Sequence, residues 1–188
     1  MMIRSCLAAA CLFFCSTLMA QTTAFGISLG QSTLQDLQNE YTLEALGDSD
    51  VTGGPIYKVS GDQINFDQLN YVEIVFDEES RAVGVMVTFP PTKFDYLKAL
   101  LSEQYEQVSD QAFGNVYRII TFEDGGSRIE LDAPAGEAVA VVYLSSSFIA
   151  SIKADEAARI KEQEEMERQL EEENKKLLEV MEQEKALL

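Results

Sequence analysis

Histidine and tryptophan are absent from the 188-residue sequence, and its three cysteines, Cys6, Cys11 and Cys15, lie near the start. The rest of the chain therefore lacks Ser–His and Cys-based nucleophilic catalysis, and it lacks Cys/His zinc sites. Only Asp, Glu, Lys and Tyr remain for acid–base chemistry. We predict a protein that is not an enzyme, with no catalytic residues, no cofactor and no metal centre.

Long apolar runs are also missing, apart from residues 7–15. That run follows Arg4 and leads to the small residue Ala20, a pattern typical of a secretory signal peptide. It is shorter than the roughly 20 residues of a membrane span. We predict a signal peptide at residues 1–20, and a cut after Ala24 is the alternative. The mature chain is then exported, periplasmic or secreted, without a transmembrane span.

All three cysteines fall inside the predicted signal, so the mature chain would have no disulfide. Lipid attachment at Cys11 or Cys15 is an alternative that would cut the apolar run very short. Without disulfides the mature protein depends on a hydrophobic core. A domain of about 130 residues can supply one, because it buries around two-thirds of its surface.

Basic residues are scarce. Residues 21–152 contain 20 Asp and Glu against six Lys and Arg, a net charge of −14, and residues 153–188 contain 12 against seven, a net charge of −5. Nucleic acid is therefore not an expected partner, because phosphate contacts need clustered Lys and Arg. An acidic, well-solvated surface is the simplest interpretation; docking of a basic partner and binding of divalent cations are the alternatives.

Three blocks of sequence recur at nearly constant spacing. Residues 37–41 match 101–105, residues 54–59 match 114–119, and residues 64–67 match 129–132, at offsets of 64, 60 and 65. This predicts two repeats, at about 23–80 and 81–146, within a domain at 21–147.

Each repeat is predicted to be β-α-β-β-β. The first helix has Ser32 or Thr33 as its N-cap, and the second carries an apolar stripe that ends at Tyr105. We expect an α+β fold, with an antiparallel sheet of about eight strands and two helices on one face. Residues 47–54 are predicted to be a loop, and strands are predicted at 23–27, 55–60, 63–67, 70–77, 83–89, 115–122, 127–132 and 138–144.

Residues 148–188 are predicted to form a long charged helix, since 153–188 contain no Gly, Pro or aromatic residue. Charged side chains interrupt its heptad pattern, which favours a solvated, projecting helix over a coiled coil. Self-association and the oligomeric state stay open. A partner could bind the apolar residues near its end, among them Leu177, Val180 and Leu187.

Two pairs of residues occupy matching positions in the repeats, Tyr57–Lys58 and Tyr117–Arg118. Tyr and Arg are common at the energetic centres of protein interfaces, so the pairs are candidate partner contacts. The alternative is an ion pair of each basic side chain with a carboxylate on a neighbouring strand, such as Glu73 for Lys58 or Glu130 for Arg118.

Three further motifs match known sites only in part. The sequence Gly47-Asp48-Ser49 resembles the nucleophile block of one lipase class, but the His that such enzymes need is missing. Residues 48–53 resemble half of an EF-hand loop, with Val59 where the final Glu belongs. The acidic pairs at 77–79 and 123–124 fall in expected turns, where an exposed carboxyl group does not become a general acid.

The entry into the first helix, Phe25-Gly26-Ile27-Ser28-Leu29-Gly30-Gln31-Ser32, is similar to that of the small lipoprotein of the outer-membrane β-barrel assembly machine. The tandem arrangement resembles the β-lactamase-inhibitory protein, although this chain lacks that protein's disulfides. The resemblance covers about residues 24–144 and implies non-catalytic protein binding on an open sheet face. We therefore expect a protein-binding or adaptor module of the cell envelope, with a small-ligand or cation-binding module and an inhibitor of an exported enzyme as alternatives.

Overall fold

The computed structural model describes residues 22–185, apart from the side chains at 177, 179, 180 and 182–184. Two short 3-10 turns, Gly61–Gln63 and Pro91–Lys93, accompany the strands and helices. In chain order the elements are β1 (Thr23–Ala24), β2 (Ile27–Ser28), α1 (Leu34–Glu40), β3 (Glu44–Asp48), β4 (Gly53–Ser60), β5 (Tyr71–Asp77), β6 (Ala82–Phe89), α2 (Phe94–Gln104), β7 (Glu106–Phe113), β8 (Tyr117–Asp124), β9 (Ser127–Pro134), β10 (Val139–Leu144) and α3 (Ser146–Lys185).

Eight strands form one antiparallel sheet in the order β3-β4-β5-β6-β10-β9-β8-β7. The sheet consists of two four-stranded meanders whose last strands, β6 and β10, pair with each other. This confirms the predicted α+β class and the eight-stranded antiparallel sheet. In the observed order each meander follows a helix, so β6 closes the first unit and does not open the second.

One face of the sheet lies under α1 and α2. Leu37 of α1 and Leu97 and Leu101 of α2 are buried in the same cluster as the inward-facing side chains of the sheet, among them Phe76 and Phe122. Burying each of these large apolar side chains contributes roughly 1.5–3 kcal/mol. The predicted position of both helices on one face is confirmed.

The predicted N-cap of the first helix is also confirmed. Thr33 accepts a hydrogen bond from the backbone N–H of Asp36, and the Asp36 carboxylate accepts one from the backbone N–H of Thr33. This reciprocal capping box satisfies two backbone donors that the first turn would otherwise leave free. It fixes where α1 begins.

Two predicted strands are wrong. Residues 23–27 do not join the large sheet, because Phe25 and Gly26 both have positive φ (52° and 86°) and turn the chain back into the β1–β2 hairpin. Residues 63–67 form turns stabilised by local backbone hydrogen bonds. Their aromatic residue, Phe66, packs edge-on against Phe25 and Phe89 at centroid distances of 5.1 and 5.5 Å.

Two strands were missed by the sequence interpretation, and both lie at edges of the sheet. β3 covers part of the predicted loop at 47–54, and β7 directly follows α2. Nearly every side chain of both strands is exposed. Their backbones pair with one neighbour only, and water reaches both of their faces, so no alternation of apolar and polar residues marks them.

The predicted C-terminal helix is confirmed as α3. Its 40 residues would span about 60 Å at 1.5 Å per residue. Only its first turns are partly buried, and every described side chain from Glu156 onward is exposed. Neither α3 nor any other helix within residues 22–185 has an apolar stretch long enough to cross a membrane.

Candidate functional site: the open face of the sheet

The side of the sheet opposite α1 and α2 is here called the open face. On β5, Val72, Ile74 and Phe76 are fully buried toward the helices, and the residues between them point the other way and are half-buried. The same alternation runs along β10 and the middle of β9, whereas on β6 every residue except the half-buried Met86 is buried. In residues 22–185, the start of α3 is the helical segment that contacts this side of the sheet. The open face includes Tyr71, Glu73, Met86, Val142, Glu130 and Asp132.

Four of these residues form a row across the four central strands, here called the central row. Glu73 on β5 is opposite Met86 on β6, which is opposite Val142 on β10, which is opposite Glu130 on β9. All four are half-buried. The row therefore presents an apolar centre between two carboxylates, about 14 Å apart across three strand spacings.

The basic side chains near the central row are already paired. Lys58 Nζ lies 3.9 Å from Glu44 Oε2 and 5.0 Å from the centre of the Tyr71 ring. Arg128 lies 3.6 Å from Glu130. Glu73 is opposite Lys58 in register but has no ion pair or side-chain hydrogen bond within the described part of the chain. The open face therefore keeps an excess of negative charge.

Asp132 lies one position beyond Glu130 on the same face, beside Ala140 of β10 and Ile119 of β8. Its Oδ1 atom is buried and has no hydrogen-bond partner among the described residues. Burial raises the pKa of Tyr117 to about 12, and the nearby Asp132 carboxylate adds to that rise. An unpaired, desolvated carboxylate oxygen is costly, and a cation or hydrogen-bond donor would offset that cost.

The root of α3 closes one end of the open face. Phe148 packs directly on Gly84 of β6, where the lack of a side chain leaves room for the ring. The Ser145 hydroxyl, just before α3, accepts a hydrogen bond from the backbone N–H of Phe148 and so fixes the first turn. A cavity of about 270 Å³ lies beside this contact, lined partly by Thr52, Glu78 and Ser151.

The predicted pairs Tyr57–Lys58 and Tyr117–Arg118 do not form one symmetric surface. Tyr57 packs edge-on against Phe76 on the helix side, so Lys58 is on the open face. In the second meander the order is reversed, because Arg118 is on the helix side and Tyr117 on the open face. Although Tyr57 and Tyr117 match in sequence, their strands are shifted by one residue relative to the pleat of the sheet. Because successive side chains of a strand point to opposite faces, this shift places each matched side chain on the opposite face.

Arg118 is held on the helix side by a cluster of charges. Its guanidinium donates two hydrogen bonds to Asp110 of β7, at 2.8 and 2.7 Å, and lies 5.4 Å from the Phe94 ring centre. Lys98 of α2 donates to the same carboxylate at 3.2 Å. The Arg118 guanidinium, with a smaller effect of Lys98, lowers the pKa of Asp110 to about 2. Both basic side chains thus pair with a carboxylate on a neighbouring strand, but it is Glu44 for Lys58 and Asp110 for Arg118.

The remaining predicted contacts are on α3. The side chains of Leu177 and Val180, and Leu187 as a whole, lie outside the described residues. Among the described side chains of α3, Ile160, Met166, Leu170, Leu178 and Met181 are each more than half exposed. The projecting helix therefore carries apolar groups that nothing in the described domain covers.

The partial motifs have structural explanations. Residues 48–53 form the end of β3 and the turn into β4, where Ser49 accepts a hydrogen bond from the Thr52 N–H and the Thr52 hydroxyl donates to the Phe76 carbonyl. Asp77 is bound by Arg81. Among the side chains that the structure describes, no three Asp or Glu are grouped as metal ligands.

Sequence reasoning did not find Met86 and Val142, the centre of the row. In the sequence, Val83, Val85, Val87 and Phe89 alternate with smaller residues, which predicts a half-buried strand but does not single out Met86. The sequence does contain a signal for this position, because Met86 is a large apolar residue at a strand position that points away from the core. Which strands would lie beside it could not be known without the sheet order.

No protein-family model matches the sequence, and comparisons with curated proteins and with solved structures gave no match either. The resemblance to the assembly-machine lipoprotein and to the β-lactamase-inhibitory protein stays a prediction.

Proposed function

We propose that the mature chain is a non-catalytic exported protein that binds another protein of the cell envelope through the open face and α3. The observation that carries this proposal is the open face itself, where the central row places two half-buried apolar side chains, Met86 and Val142, between carboxylates of an acidic domain. Interface centres combine apolar contact with a polar rim, and this row has that composition. The exposed apolar residues of α3 extend the available surface away from the domain.

The edges of the sheet are less suited to a partner than its face. Both edge strands contain a bulge, between Ala45 and Gly47 in β3 and between Gln107 and Ser109 in β7. Both edges also carry exposed carboxylates, among them Asp48 on β3 and Glu106 on β7. Bulges and charges on edge strands oppose the addition of a further strand. A partner is therefore expected to lie across the face.

Affinity capture from an envelope extract tests the proposal. The bait is the mature chain, compared with Met86→Lys on the central row and with Val116→Lys as a matched control. Val116 is a 73 % exposed residue between β7 and β8, away from the row. We expect one discrete protein, identified by mass spectrometry, to be captured by the wild type and by Val116→Lys but not by Met86→Lys.

Circular dichroism melting of all three baits shows whether each is folded. Capture that is equal for wild type and a folded Met86→Lys, or capture of nothing by any bait, contradicts the proposal. If the captured protein is an enzyme whose activity falls when the chain binds, the adaptor is an inhibitor.

A small-ligand module is the second candidate, and the cavity at the root of α3 favours it. Glu78 and the hydroxyls of Ser147 and Ser151 contribute polar groups to its lining, and Phe148 contributes an apolar wall. A thermal-shift screen of small polar compounds and of Ca²⁺ tests this candidate. A rise in melting temperature that Ser151→Leu abolishes supports it, and no rise with any compound contradicts it.

A further inference from the structure

Within the described residues, Glu73 and Asp132 are open-face carboxylates without a basic partner on either side of an apolar centre. Lys58, the cation nearest Glu73 in register, pairs with Glu44 and lies over the Tyr71 ring. Arg128 is 3.6 Å from Glu130 and forms no ion pair with Asp132. The open face therefore has two separate sites at which a basic group of a partner would form a favourable ion pair with a carboxylate.

From this we infer the chemistry of the partner: the open face binds an extended segment with basic side chains at positions i and i+4 and an apolar side chain at i+2. The inference rests on the proposed protein-binding function and adds the kind of segment that is recognised. The two basic groups would lie at Glu73 and at the Glu130–Asp132 pair, and the apolar group on Met86 and Val142.

The spacing of the carboxylates favours an extended segment. Four residues of extended chain cover about 13 Å, and positions i, i+2 and i+4 point to the same side. That length is close to the roughly 14 Å between Glu73 and Glu130, which are three strand spacings apart. Asp132 lies two residues, about 6.6 Å, further along β9, so the second basic group would lie between Glu130 and Asp132. In an α-helix, residues 13.5 Å apart are nine positions apart and point to opposite sides, so a helix presents the two charges less well.

Charge also argues against a second copy of this chain as the occupant. Residues 21–152 carry a net charge of −14 and residues 153–188 a net charge of −5. Two copies would bring like charges together at the face, which disfavours association by electrostatic repulsion. A basic segment is complementary to the face, and that attraction also speeds its approach.

The test uses a fluorescein-labelled peptide with the core Lys-Ser-Leu-Ser-Lys, measured by fluorescence anisotropy with the mature chain at physiological salt. Two control peptides are Glu-Ser-Leu-Ser-Glu and the isomer Lys-Lys-Ser-Leu-Ser, which keeps the charge but not the spacing. The protein variants are Glu73→Gln/Asp132→Asn and the control Asp62→Asn/Glu103→Gln. The control removes the same charge from two exposed positions that form no ion pair in the described chain.

We expect saturable binding of the spaced peptide, weaker binding of both control peptides, and a loss of about tenfold in affinity in Glu73→Gln/Asp132→Asn. The control variant should lose less than about twofold, because distant exposed charges are screened. Glu73→Gln alone should lose about threefold. Since Glu73 holds no ion pair, this variant keeps the test valid if the Asp132 substitution prevents folding.

The inference is overturned if the spaced peptide does not bind, if the isomer binds equally well, or if both double variants lose the same affinity. These outcomes are separate from those of the capture experiment. A partner that needs Met86 while the peptide ignores Glu73 would leave the proposed function in place and remove only the inferred chemistry. Capture of no partner by any bait would instead count against the proposed function.

Discussion

The ring of Phe148 covers Gly84 so closely that a Cβ built on Gly84 would lie 2.7 Å from Cε1 of the ring. This contact joins the first turn of α3 to β6, one of the two middle strands of the sheet, at one end of the open face. A side chain at position 84 and the Phe148 ring cannot both keep these positions.

We therefore expect Gly84→Ala to lower the free energy of unfolding by about 1–3 kcal/mol, the usual cost of overpacking. In a Phe148→Ala background the same substitution should cost much less, because the ring is gone. Urea denaturation of the four proteins of this double-mutant cycle measures the coupling. Additive effects of the two substitutions would show that the contact does not exist in solution.

Gly54 and Gly61 are expected to tolerate a side chain less well than Gly84. A Cβ on Gly54 would overlap the Phe76 carbonyl, and one on Gly61 the Leu69 carbonyl. Backbone cannot swing aside as a ring can, so either change to Ala should cost about 3 kcal/mol. Gly136→Ala is the control, since its φ of 76° causes strain of only about 1–2 kcal/mol and nothing lies within 4 Å. Equal costs in urea denaturation at all three positions would contradict this ranking.

The Asp110 cluster should stabilise the fold in a pH-dependent way. The pKa of Asp110 is lowered from its ordinary value of 3.8 to about 2, chiefly by the Arg118 guanidinium. A lowered carboxyl pKa contributes stability above the unfolded value, and that contribution is lost as the pH falls from about 4 toward 2.

Asp110→Asn should therefore lower the melting temperature by roughly 2 °C at pH 7 and by progressively less below pH 4. Melting curves across this range check the trend. Glu103→Gln, at an exposed acid of α2, should show no such pH-dependent difference. A deficit for Asp110→Asn that is constant down to pH 2 would argue against the ion-pair explanation.

The projecting part of α3 should contribute nothing to the stability of the domain. All described side chains from Glu156 onward are exposed, and their ion pairs and hydrogen bonds are to residues of α3 itself. A chain of residues 21–155 should melt within about 1 °C of residues 21–188. A chain truncated after Ser145 should melt several degrees lower, because it loses Phe148, and equal melting of the two truncations would be inconsistent with the contact on Gly84.

The parts of the fold that were predicted correctly have a local signal. The capping box at Thr33 and the apolar stripe of α2 each involve residues close together in the sequence. The same is true of the alternation of apolar residues along β5, β6, β9 and β10. The edge strands β3 and β7 have no such signal, because exposure on both sides removes the alternation that burial imposes. The predicted strand at 63–67 failed for the opposite reason, since Ile64 and Phe66 bury apolar surface from a turn.

The candidate site was less accessible to sequence reasoning than the fold. The repeat suggested that Tyr57–Lys58 and Tyr117–Arg118 are equivalent, but the pleat places them on opposite faces. A one-residue difference in register is invisible in a sequence match and decides which side of the sheet a residue occupies. The predicted contacts at Leu177, Val180 and Leu187 stay predictions.

The sequence by itself determined the scarcity of catalytic residue types, the acidity of the domain, the two α+β units and the long C-terminal helix, because each follows from composition or from a short-range pattern. Only the tertiary structure decided that β6 pairs with β10. That pairing aligns Glu73, Met86, Val142 and Glu130 across four strands. Met86 and Val142, which are 56 positions apart, become neighbours only when the sheet forms, so the central row depends on long-range strand order that no local pattern encodes.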